Sequence, residues 1–83
     1  MPERLRTGAE LLLRAVDTGE PAGELARALA LDVLRAAAPD SAPWLRAVAV
    51  LEGGVLRMRH AVELAGDVLL AMDAAQRTAR AAG

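Results

Sequence analysis

The stretch VLRMRHAVELAGDVLLAMDAAQRTAR, from Val55 to Arg80, decides the fold. Met58, Ala65, Met72 and Ala79 recur every seven residues, and Ala61, Val68 and Ala75 fall three residues after the first three of them. That spacing is an a/d heptad seam. Val62, Leu64 and Leu69 widen the seam into a full apolar face. The pattern predicts a helix over about residues 55–80, near 40 Å long at ~1.5 Å per residue. Most seam positions are small, so a neighbouring helix axis can approach to the short end of the usual range of roughly 8–10 Å. Flexible methionine fills the gaps in such a seam.

Upstream, glycine and proline divide the chain. Gly53-Gly54 precedes the long helix and reads either as a break or as a weak point inside one continuous helix. A third helix is expected over about 43–52, with Trp44, Leu45, Val48 and Leu51 as its apolar set. Pro39 to Pro43 is a loop in which Asp40 or Ser41 can cap that helix. A second helix is expected over about 21–38. Its Leu25, Ala26, Leu29, Ala30, Val33, Leu34 and Ala37 cover about half the circumference at ~100° per residue. Glu24, Arg27, Asp32 and Arg35 take the rest, with Leu31 stranded among them. A first helix is expected over about 2–16, with Leu5, Ala9, Leu12 and Val16 inward and Arg6, Glu10 and Arg14 on the other side. The expected architecture is one all-α domain over residues 1–83, a small three- to four-helix bundle with a long C-terminal helix.

Composition supports this reading. Of the residues, 54% are apolar and only 1% aromatic, Trp44 alone. Alanine and leucine, both strong helix formers, dominate. The aromatic and β-branched residues that favour strands are scarce, valine apart. Every basic residue is arginine, and the excess of Ala, Arg, Gly and Pro over Lys, Asn and Ile has the look of a GC-rich bacterial coding bias. With no cysteine, neither a disulfide nor a thiolate metal site can staple so short a chain, so helix packing or self-association must stabilise it. A net charge of −1 gives no general attraction to nucleic acid or acidic membranes. No apolar run approaches the roughly 18 residues of a membrane span. The opening Met1-Pro2-Glu3-Arg4 lacks a signal-peptide core, so a cytoplasmic location is expected.

Three constellations could carry chemistry. His60, Glu63 and Asp67 lie within about 60° on the long helix, opposite the seam, and all three are metal-ligand types. Di-iron bundles use paired Glu-x-x-His motifs, whereas this chain has one His-x-x-Glu, so the stripe reads first as a solvated face with Arg59 beside Glu63. Arg57 and Arg59 after Gly53-Gly54 could meet an anion if a helix starts there. Arginines in a first turn oppose the helix dipole, and continuity of the third and fourth helices would remove that conflict. A helix-turn-helix from the second and third helices would offer base edges only Arg46, which argues against nucleic-acid reading. A dimer gathering Arg4, Arg6 and Arg14 could still touch phosphates. No nucleophile pattern surrounds Thr7, Thr18, Ser41 or Thr78, and no cofactor is expected.

The remaining candidate is an interaction surface. The long helix exceeds its neighbours, which leaves seam uncovered, and a second copy is the simplest cover. Met58, Ala61, Ala65, Val68, Leu69 and Met72 are the expected interface, with Leu31, Leu56 and Leu70 projecting from charged arcs. Trp44 reads as the one large core anchor, with an interface role as its alternative. The expected function is a helical protein-interaction or structural module that self-associates as a dimer or tetramer. A small helical enzyme or metal-binding bundle and a dimeric nucleic-acid regulator are the alternatives.

Overall fold

The computed structural model describes residues 3–82. Among them are four helices and no strand: α1 (Glu3–Thr18), α2 (Gly23–Ala36), α3 (Ala42–Glu52) and α4 (Arg57–Ala82). The all-α bundle with a long C-terminal helix is therefore present. The expected start of the first helix at Pro2 lies outside the described residues. α4 has 26 residues, about 39 Å at 1.5 Å each, and so sets the longest dimension of the molecule, 43 Å. It packs against all three other helices, and α2 packs against both α1 and α3.

Local chemistry sets the helix ends. α1 runs two residues past Val16 because its C-terminus is closed by a Schellman motif. The Glu20 N–H donates to the Ala15 carbonyl at 2.8 Å, and the Gly19 N–H donates to that of Val16 at 3.3 Å. Gly19 supplies the required positive φ of 77°. α2 starts at Gly23 rather than Pro21 and ends at Ala36 rather than residue 38. Ala37 is already extended (φ −86°, ψ 151°), with Pro39, which cannot continue a helix, two residues on. Ser41 holds the N-cap position of α3, yet its hydroxyl makes no capping bond. Pro43 sits in the first turn of α3, where its missing N–H costs nothing.

The core is a set of sixteen buried apolar residues, half of them alanine, with no polar or charged side chain buried among them. Small side chains let α4 lie close to three neighbours at once. Leu5, Leu12, Leu29, Leu64, Val33, Val50 and Val68 supply the bulk.

Three expectations about faces are corrected. In α1, Ala15 is buried and Val16 exposed, since the inward position after Leu12 falls at i+3. In α3, the buried residues are Ala47 and Val50, with Leu51 packed against them. Leu45 faces solvent, and Trp44 is only half-buried and no part of the core. The anchor role assigned to Trp44 is filled by leucines of the other three helices. Finally, the α4 seam is covered by the chain itself. Ala61, Ala65, Val68 and Met72 are buried, and Met58 and Leu69 pack against the core. α1, α2 and α3 all pack against α4, so Ala61, Ala65, Val68 and Met72 are covered within the chain, while Met58 and Leu69 stay partly exposed.

Candidate functional site

Each sequence candidate can be placed on this frame. Glu63 and Asp67 do not stand free for a metal. Arg46 of α3 reaches across to both, bonding the Asp67 carboxylate through Nη1 and lying 3.6 Å from the Glu63 Oε2 through Nη2. The Arg59 Nε–H donates to the Glu63 Oε1 at 3.3 Å, the i, i+4 pair that spacing alone suggested. The three groups are partly exposed, so this network ties α3 to α4 modestly. His60 is half-buried and lies by Ala49, Glu52 and Leu56. Among the described residues, no cluster of three or more His, Cys, Asp or Glu has metal-binding geometry.

The arginines after Gly53-Gly54 part company. Helices α3 and α4 are not continuous. Gly53 and Gly54 have φ of 85° and 90°, which L side chains avoid, and the helix restarts at Arg57. Arg59 turns to Glu63. The Arg57 Nε is buried with no acceptor among the described residues. Arg57 lines an open hollow of about 510 Å³ with Arg27 and Leu31 of α2 and with Leu51, Glu52 and Gly53 at the end of α3. In the sequence Arg27 is only one of the charges on the polar arc of its helix. Its place beside Arg57 depends on how α2 meets the α3–α4 turn, and no local spacing reports that.

Of the N-terminal arginines, Arg14 is exposed with no ion pair among the described residues, while Arg4 and Arg6 are engaged. Arg4 pairs with Asp32 at 3.7 Å, and Arg6 pairs with Glu3 at 3.9 Å and Asp73 at 3.7 Å.

The off-face leucines are exposed, but they do not make one patch. Leu31 (37% exposed) belongs to the Arg27–Arg57 hollow. Leu56 (51%) stands with the fully exposed Val55 at the α3–α4 turn, and Leu70 (67%) lies fourteen residues further on, about 21 Å along the helix at 1.5 Å per residue. The largest uncovered stretch is elsewhere. Every residue from Asp73 to Ala82 is exposed, a projecting end that carries the seam on through Ala75 and Ala79. A hollow of about 250 Å³ at its base is lined by Glu3, Arg6, Ala71, Met72, Ala75, Gln76 and Ala79.

Among the described residues, no helix is long and apolar enough to cross a membrane. Compared with known proteins, the chain matches no family model, no curated protein and no solved structure.

Proposed function

We propose that the chain is a helical interaction module that pairs with a second copy through the projecting end of α4. One observation carries this reading: the apolar seam does not stop where the core stops. It is buried from Ala61 to Met72 and continues, exposed, through Ala75 and Ala79. A helix of about ten residues has little intrinsic stability in water, and packing of its apolar face is the usual source of support. A two-fold partner presenting the same alanines would supply that packing, because small residues let two helix axes approach closely. Of the metal-binding candidates on α4, Glu63 pairs with Arg46 and Arg59 and Asp67 with Arg46.

The test is solution mass by light scattering across a concentration series, on the wild type and on the double variant Ala75→Glu/Ala79→Glu. Both positions are exposed, so the bundle itself should fold unchanged. The wild type is expected at twice the 8.7 kDa chain mass and the variant at the monomer mass. A wild type that stays monomeric at high concentration, or a variant that still dimerises, overturns the reading.

A further inference from the structure

We infer that the hollow between α2 and the α3–α4 turn binds a small aliphatic carboxylate. Two arginines, Arg27 and Arg57, border it, and neither pairs with a carboxylate among the described residues. Arg4, Arg6, Arg35, Arg46 and Arg59 are paired, and Arg14, Arg77 and Arg80 stand exposed and unpaired among the described residues, so Arg27 and Arg57 are set apart by bordering one hollow. The Nε of Arg57 is buried without an acceptor among the described residues, and the guanidinium forms no ion pair there. A guanidinium is the group best shaped to take a carboxylate in a two-pronged bond, and its two terminal Nη groups can form one without the buried Nε. Polar groups dominate the surface of this hollow, whereas apolar atoms dominate the other four described. Its size falls within the usual span of small-molecule sites, roughly 300–1,000 Å³.

The leucines choose the kind of anion. Leu31 stands exposed in the hollow one helical turn from Arg27, and Leu51 lines the opposing side from α3. Leu51 is already partly packed on the core, so it is chiefly Leu31 that a bare phosphate would leave against water and the chain of an aliphatic acid would cover. Glu52 also borders the hollow and forms no ion pair with either arginine. Its charge opposes the ligand, which fixes the sign of one variant in the test. Arg57 and Ala75 are eighteen residues apart on α4, about 27 Å at 1.5 Å per residue, so the result does not depend on the dimer.

The experiment is an NMR titration of the full chain with sodium hexanoate, followed on the Arg27 and Arg57 Nε–H and the Leu31 and Leu51 methyl resonances. Hexanol tests the need for charge, and inorganic phosphate the need for the aliphatic body. Saturable shifts with hexanoate alone are expected. Arg57→Gln should weaken binding by about tenfold, as for loss of a charge-assisted hydrogen bond. Arg27→Gln, at an exposed position that leaves the fold intact, should weaken it several-fold, and Glu52→Gln should tighten it. Absence of saturable shifts, equal binding of hexanol or phosphate, or indifference to Arg27→Gln each overturns the inference.

Discussion

At the scale of single residues, glycine divides into two kinds in this chain, and the difference is measurable. Gly66 lies inside α4, and a Cβ added there meets nothing within 4 Å. Alanine is favoured over glycine in a helix interior by about 0.8–1.0 kcal/mol, so Gly66→Ala should stabilise the protein by that amount in denaturant unfolding. Gly53 also has open space around it, but its φ of 85° is one that side-chain-bearing residues rarely adopt. Gly53→Ala should therefore destabilise by about 1–2 kcal/mol despite the room available. Equal effects at the two positions would mean that the α3–α4 break is not as described. The pairings of Glu63 follow a similar division between near and far. Arg59 was legible as its partner, because i, i+4 spacing on a helix is a local rule. Arg46 was not, because it comes from another helix and is met only through packing.

At the scale of the helices, periodicity showed which faces are apolar but not what covers them. The α4 seam was legible in full, from Met58 to Ala79. Its cover was not, because the same stripe suits a second chain or the chain's own α1–α3. Here the structure divides it, with the part up to Met72 inside the core and the rest outside. Inward positions that fall at i+3 or i+4 were equally open to sequence reading, as Ala15 and Val16 show. In α3, two small apolar residues, Ala47 and Val50, displaced the larger Trp44 and Leu45 from the core, a reversal that size alone would not suggest. The division of α4 predicts a contrast between two substitutions of the same kind. Ala65→Leu inserts three carbons at a fully buried site against close neighbours and should cost about 1–3 kcal/mol by overpacking. Ala74→Leu, on the exposed end, should shift stability by no more than about 0.5 kcal/mol. Thermal melts of the two variants side by side check this, and a tolerated Ala65→Leu would mean that the seam is loosely packed.

At the scale of the whole molecule, the two surfaces assigned roles lie toward opposite ends of α4. The Arg27–Arg57 hollow sits at its start, where α2 and α3 also contribute, and the projecting alanines sit at its finish. Between them lies the core, which draws on no residue beyond Met72. Folding and association should therefore be separable. A chain ended after Asp73 keeps every core residue and the Arg6–Asp73 ion pair. At low concentration it should melt within about 1 kcal/mol of the full chain, since exposed helix ends open locally at little cost to the rest. The full chain should instead show a melting temperature that rises with concentration, because a dimer is stabilised by mass action. The shortened chain should lose that rise while its hexanoate-induced shifts at Arg27 and Leu31 persist. If the shortened chain fails to fold even when dilute, α4 is needed as a whole for the monomer, and the separation of core from interface at Met72 is wrong. If it folds and its melting still depends on concentration, the contact between copies lies elsewhere, with the exposed Val55–Leu56 turn the next surface to alter.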